Sequence, residues 1–262
     1  MVSVGRIAVL IDLSGTLHID DICIAGVPAA LQRLRNNPRY AIKFVTNTTK
    51  ESLGRLHVCL TRLGLGIKRS EIFSSLMAVK HFIKKDNLRP LLLLEDAALE
   101  DFEDVDVKEP NAVVVGLAPS KFSFASLNNA FRLLLEGAKL VAVHKGRYYK
   151  QKDGLSLGPG PFIEALEYAA DVNSQVVGKP ERAFFLTALA SIDESLTPQQ
   201  AVMIGDDVRD DVLGAINAGM HAILVKTGKY CKGDELQIPE ASRNCVESFV
   251  EAVDLIEKNL VK

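Results

Sequence analysis

The chain has 262 residues, 48% hydrophobic and 24% charged, which suffices for a substantial core in one large domain or two modest ones. Its 31 Lys and Arg against 33 Asp and Glu leave a net charge of −2. That balance excludes a nucleic-acid partner bound through excess basic charge and counterion release. Four scattered cysteines (Cys23, Cys59, Cys231 and Cys245) lack metal-like spacing and read as free thiols of a reducing compartment, the cytoplasm by default.

The first apolar run, Ile7 to Leu13, is interrupted by Asp12 and is too short to cross a bilayer, so no membrane partner is expected and the run reads as a buried strand. Pro28 begins a helical segment at a first-turn position. A strand over Ala41 to Val45 follows, and Thr48-Thr-Lys-Glu51 has the form of a capping box opening a helix through Leu60. Further β-branched and aliphatic runs cover Leu91–Leu94, Ala112–Val115 and Leu140–Val143, with the acidic stretch from Glu95 to Glu109 read as a solvated connection. Ser156 to Pro161 is the densest Gly/Pro punctuation and predicts a turn before a helix starting near Phe162. Strands over Ala201–Ile204 and Ala222–Val225 complete an alternation of strand and helix, which predicts an α/β fold with parallel sheets.

In open α/β sheets ligands bind at the carboxyl ends of the strands, so the residues after Ile11, Val45 and Ile204 carry the most interest. Asp12-Leu-Ser-Gly-Thr16 places a carboxylate at a strand end, with Gly and Thr turning the backbone beside it. Such an aspartate can serve as a nucleophile next to free N–H groups, or can simply cap its own turn. Asp206-Asp-Val-Arg-Asp-Asp211 gathers four carboxylates within six residues, a cluster that repels itself unless a cation neutralises it. Oxygen-only donors suit hard Mg2+, while one or two of these acids are expected to cap the following helix. Thr46-Asn47 and Lys179-Pro180 add a hydroxyl, an amide and an ammonium, donors suited to phosphoryl oxygens.

In this order the four pieces resemble the motifs of the haloacid dehalogenase superfamily, and the likeness covers essentially the whole chain. It implies a Rossmann-like core with a parallel sheet and an inserted, smaller α/β cap, as in the nagD-type capped subfamily. The core is expected over 1–81 and 178–262 and the cap over 82–177. By the same resemblance Asp12 is the nucleophile that forms an aspartyl-phosphate, and Leu13, Ser14, Thr46, Asn47, Thr48 and Lys179 bind the phosphate, with Lys179 bridging charge. Mg2+ is held by Asp12, Asp206 and the Ser14 carbonyl, with Asp211, Asp207 or Asp210 in support. The implied reaction is hydrolysis of a small phosphorylated substrate, and related capped proteins often form homodimers.

Most phosphatases of the superfamily carry a second aspartate two residues after the nucleophile, where this chain has Ser14. A serine hydroxyl does not titrate near neutrality and cannot replace a general acid–base worth about 100- to 10,000-fold. The substitution therefore predicts slow hydrolysis of alkyl monoesters and a preference for phosphoramidates, pyrophosphate or aryl phosphates, whose leaving groups depart more easily. His18 and the segment His144-Lys145-Gly-Arg147 are the alternative sources of a proton or of substrate selection. The rival readings are a catalytically weak or inactive phosphate-binding protein of the same fold and a metal-free dehalogenase, the latter disfavoured by the acidic cluster.

Overall fold

A computed structural model describes residues 5–151 and 154–258. The described residues divide into two compact units, one made of residues 5–46, 57–73 and 179–258, the other of 47–56, 74–151 and 154–178.

The first unit is built on a six-stranded sheet in the order Cys245–Val246, His221–Val225, Ala201–Gly205, Ile7–Ile11, Tyr40–Thr46, Ile72–Ser74. Pairings from Cys245–Val246 through Tyr40–Thr46 are parallel, with Ile11 opposite Ile204 on one side and Phe44 on the other. Every residue of Ile7–Ile11 and Ala201–Gly205 is buried, as a parallel sheet covered on both faces requires. Helix Val27–Asn36 starts after Gly26, has Pro28 in its first turn and buries Val27, Ala30, Leu31 and Leu34 along one stripe. Burying each of those leucines contributes about 1.5–3 kcal/mol. The chain leaves Ile7–Ile11 toward Tyr40–Thr46 on one side and returns to Ala201–Gly205 on the other. That topological switch point places a crevice at the end of the central strand.

The second unit has its own four-stranded parallel sheet, in the order Gln175–Val176, Lys139–Ala142, Ala112–Val115, Pro90–Leu93. Alternate residues face opposite sides: Ala112, Val114 and Val141 pack with Leu76, Val79 and Ile83. Val113, Val115 and Leu140 pack with Ala130, Leu134, Ile163 and Leu166. Helix Ser75–Lys85 thus belongs to this unit, and so does the segment 47–56. The division differs from the expected 82–177 because the Leu76/Val79/Ile83 stripe is complementary to the four-stranded sheet, a match that sequence proximity does not reveal.

Two other expectations change. The helix after Tyr40–Thr46 begins at Leu53, where Ser52 Oγ accepts the Arg55 N–H at 3.3 Å. Residues 48–52 are not helical, so no helix opens at Thr48, and Thr49 Oγ1 accepts the Leu117 N–H at 2.9 Å. The acidic stretch is not wholly solvated either: Ala98 and Phe102 are buried, and Glu100 accepts from Ser52 and Arg55. The predicted turn before Phe162 leads into helix Gly160–Ala170, with Pro161 in its first turn. The four cysteines are free thiols. No helix among the described residues is long and apolar enough to cross a membrane.

Candidate active site

The Asp12 amide still donates to the Ile204 carbonyl, at 2.9 Å, so the sheet ladder runs up to this residue and holds it rigidly at the strand end. Beyond it the chain turns sharply. Leu13 is fully buried and its carbonyl accepts from the Leu17 N–H, while Ser14 is exposed. Gly15 has φ +94°, and a Cβ there would lie 2.1 Å from Asp206 Oδ2, so both the left-handed conformation and the close approach demand glycine. Thr16 Oγ1 sits between two carboxylates, 3.4 Å from Asp12 and 3.2 Å from Asp206.

Lys179 occupies the centre of this site. Its Nζ donates to Asp12 Oδ1 at 2.6 Å, to Asp211 Oδ1 at 2.5 Å and to the Val45 carbonyl at 3.3 Å. The side chain is 3% exposed, too buried for water to solvate the ammonium. Burial alone would lower its pKa, but the carboxylates of Asp12 and Asp211 outweigh burial and hold it charged, above the usual lysine range. Gly205 permits this packing, since a Cβ there would come within 2.3 Å of the Asp211 carboxylate.

Carboxylate oxygens of Asp12, Asp206 and Asp211 all lie within 4.8 Å of one another, and all three residues are buried. Burial, with the Asp12 charge adding to it and the Lys229 N–H opposing it, pushes the Asp206 carboxyl up to about 7. Burial likewise raises Asp211 well above the carboxylate range, with Lys179 offsetting only part of the effect. When all three ionise, three carboxylates around one ammonium leave an excess of two negative charges, which a divalent cation would cancel. The all-oxygen donors fit magnesium.

Asp207 and Asp210 stay outside this trio. Asp207 Oδ1 caps the helical turn starting at Val208 by accepting the N–H groups of Arg209 and Asp210, both at 3.0 Å, and its Oδ2 pairs with Lys229 Nζ at 3.2 Å. Capping and a cation partner use the lone pairs that a metal would need, so Asp207 supports the site through position. The loop Thr227-Gly-Lys229 was not foreseen. Its Thr227 hydroxyl donates to the Gly15 carbonyl, and the Lys229 N–H donates to Asp206 Oδ2 at 2.7 Å. The available signal was its place just after Ala222–Val225, at the carboxyl end of a strand adjoining Ala201–Gly205.

Comparison with known proteins agrees with this geometry. The Haloacid dehalogenase-like hydrolase family profile matches residues 9–108, and the HAD-hydrolase-like profile matches residues 176–252. A Bos taurus protein named haloacid dehalogenase-like hydrolase domain-containing protein 2 is 54% identical, over 97% of this chain and 97% of its own length. The chain belongs to the haloacid dehalogenase-like hydrolases. The human phospholysine phosphohistidine inorganic pyrophosphate phosphatase is 40% identical over 96% of this chain and 94% of its own length. Among solved structures, a glycerol phosphate phosphatase from Mycobacterium tuberculosis in complex with magnesium shares the fold, with a TM-score of 0.82. It is 24% identical, and the alignment covers 95% of this chain and 76% of that one.

The remaining expected residues of this haloacid dehalogenase-like hydrolase fall in different places. Thr46 is buried at the end of Tyr40–Thr46, directly after the carbonyl that anchors Lys179. Asn47 and Thr48 begin the second unit, where Asn47 Oδ1 accepts the Ser75 hydroxyl at 2.5 Å. His18 makes no hydrogen bond to Asp12: its Nδ1 bonds to the Asp20 carbonyl at 2.7 Å, and its buried Nε2 has no hydrogen-bond partner among the described residues.

In the second unit His144 is buried and its Nδ1 accepts the Gly146 N–H at 3.1 Å. Lys145 pairs with Glu164 at 2.6 Å and Glu167 at 2.8 Å, which neutralises it within the unit. Arg147 is exposed and lines a cavity of about 580 Å³ with Tyr148, Leu155 and Leu157. Of the three expected specificity residues, only Arg147 presents an exposed cationic side chain.

Proposed function

We propose that this hydrolase is a magnesium-dependent phosphohydrolase that works through an aspartyl-phosphate on Asp12. The observation that carries the reading is the buried Lys179 ammonium bonded to both Asp12 and Asp211. A buried ion pair of this kind contributes little to stability by itself, and a structural core is served as well by apolar residues. In the proposed reaction an Asp12 oxygen attacks phosphorus, and the bond to the leaving oxygen or nitrogen breaks with its electron pair going to that atom. Water then attacks phosphorus and expels the Asp12 carboxylate, yielding inorganic phosphate. Lys179 holds Asp12 in the attacking position and offsets repulsion between the carboxylate and an anionic substrate. Thr46 and the N–H groups after Asp12 are proposed to bind phosphoryl oxygens.

The residues that would hold Mg2+ are Asp12, Asp206 and the Ser14 carbonyl, with Asp211 and Asp207 in support. The ion would supply positive charge to the transferring phosphoryl oxygens. Two observations support the metal, the three buried carboxylates gathered within 4.8 Å of one another and the magnesium complex of the structural neighbour. In the metal-free protein Asp206 is expected to hold a proton below about pH 7, and magnesium must displace it. Affinity for Mg2+ should therefore fall by about tenfold per pH unit below that value and level off above it. Calorimetric titration of Mg2+ across this range measures the slope, and a flat profile would count against the assignment.

Ser14 leaves the usual proton-donor position without a carboxyl, so the proposed substrates have good leaving groups. The human relative at 40% identity supports this reading, because its name specifies phosphoramidates and pyrophosphate. The test is magnesium-dependent phosphate release from a phosphoramidate, pyrophosphate, 4-nitrophenyl phosphate and an alkyl monoester, with Asp12→Asn as control. Turnover of the first three that disappears in Asp12→Asn is expected. Phosphate binding with no turnover on any of them would favour a non-catalytic binding protein.

The second unit is proposed to select the leaving portion of the substrate, through Arg147. Arg147→Ala is expected to change the ranking of the four substrates severalfold while leaving the fold intact, since the side chain is exposed. Unchanged kcat/KM ratios would remove that role.

A further inference from the structure

A second group of cations lies in the first unit, away from the carboxyl ends of its strands. Lys43 points from the middle of Tyr40–Thr46 into a cavity of about 370 Å³, and only 8% of the residue is exposed. Its Nζ donates to the Ser70 carbonyl at 3.1 Å, and no carboxylate lies within ion-pair distance among the described residues. Arg6, Arg35, Tyr40 and Glu71 line the same cavity. Glu71 offsets the buried Lys43 charge only in part, since its Oε2 already accepts from Arg35 at 2.8 Å and from the Lys68 N–H at 2.7 Å. Arg6 is half exposed and holds Asp193 only at 3.5 Å, so most of its guanidinium donors remain available.

Leu10 is the register partner of Lys43 and Ile7 that of Tyr40, so the cavity opens toward the strand starts. Asp12 lies five residues beyond Ile7, the partner of Tyr40, and two beyond Leu10, the partner of Lys43, which is roughly 7 Å along the strand at ~3.3 Å per residue; none of the cavity residues belongs to the Asp12 site.

We infer that this cavity is a binding site for a small, doubly charged oxyanion, held by the Lys43 ammonium and the Arg6 guanidinium, with the Tyr40 hydroxyl at its wall. The geometry supplies what such a ligand needs. One buried ammonium has spare donors, a guanidinium stands at the mouth with its planar fork, and the one acid beside them is already paired. A strand position serving structure alone is filled more cheaply by an apolar side chain, because an ammonium buried without a counter-charge is costly. Burial lowers the Lys43 pKa, and the Glu71 charge opposes it without cancelling it. Inorganic phosphate and a dicarboxylate such as succinate share the required chemistry.

The test uses the full chain in excess chelator, so that no metal ion at the Asp12 site can recruit the anion, and the Lys43 and Arg6 variants assign the binding to this cavity. Inorganic phosphate and succinate are titrated separately by calorimetry and by thermal unfolding, against potassium chloride of equal ionic strength. The expected result is saturable binding with a rise in Tm that chloride does not reproduce. Lys43→Met and the surface variant Arg6→Ala should each weaken that binding by about tenfold or more, and Lys43→Arg should restore most of it. Lys43→Met is expected to fold with an unfolding temperature in anion-free buffer at least equal to that of the parent. Failure of both anions to saturate the parent protein, or parent-like affinity in Arg6→Ala together with Lys43→Met, overturns the site. Both outcomes are independent of phosphohydrolase activity.

Discussion

Replacing Ser14 by aspartate is expected to raise kcat/KM for alkyl phosphate monoesters by about 100- to 10,000-fold, the usual worth of a positioned general acid–base. Ser14 is exposed, two residues past Asp12, while its neighbours are fixed: Leu13 by burial and Gly15 by the close approach of Asp206. The new carboxyl therefore enters a turn whose backbone is already set, and a surface substitution of this kind changes stability by only about 0.5 kcal/mol. The gain should be selective. An alkoxide needs a proton as it departs, pyrophosphate leaves as a stabilised anion, and a phosphoramidate leaves as an amine that is readily protonated. Steady-state kinetics on the three classes measure the difference, and an equal change on all of them would sink the account of Ser14 as the missing donor position.

Lys179→Met is expected to abolish turnover and, in chelator near neutral pH, to destabilise the protein by about 3–5 kcal/mol, the cost of leaving one side of a buried ion pair uncompensated. In a chain of this size that corresponds to a fall in Tm of about 10 °C. The folded-state pKa of Lys179 lies above its unfolded value, so its contribution is fully present below the ordinary lysine range and is lost only as pH rises through the folded pKa. At neutral pH the variant therefore loses all of it.

The deficit should also shrink in acid. Without the ammonium the site holds three buried carboxylates, two of them with raised pKa values already, and protonation relieves their repulsion. A group whose folded pKa is raised destabilises the fold as pH climbs through that range, which makes the variant weakest at alkaline pH. Mg2+ should recover part of the loss by supplying charge to the same oxygens. Denaturant melts at acid and alkaline pH, with and without Mg2+, test this; a deficit independent of both pH and Mg2+ would mean that Lys179 acts through packing alone.

The strands that carry chemistry were readable because fully buried parallel strands appear as unbroken apolar runs, as in Ile7–Ile11 and Ala201–Gly205. Short strands such as Ile72–Ser74, Gln175–Val176 and Cys245–Val246 have too few residues for any period to show. The helix after Tyr40–Thr46 was misplaced at its start because Thr48-Thr-Lys-Glu51 satisfies a local capping pattern. Residues 48–52 instead stay non-helical, with Thr49 bonded to the distant Leu117 N–H and Ser52 to Glu100, and the helix opens at Leu53. The Thr227-Gly-Lys229 loop lacked a charged cluster or a recognisable spacing, and only the fold brings it against Asp206 and Gly15.

By itself the amino-acid sequence determined the α/β class, the order of the four motifs and the absence of a carboxyl at position 14, because each is a property of residue type and order along the chain. Tertiary structure decided which acids share one buried volume. Asp211 joins Asp12 and Asp206, while Asp207 turns aside to cap a helix and pair with Lys229. It also decided that Lys179 reaches across 167 residues of sequence to Asp12, and that Lys43, an unremarkable lysine in a strand, is buried without a carboxylate partner. The reason is the same in each case: charge and desolvation act through distances of a few ångströms, and those distances exist only once the sheet has brought its strand ends and edges together.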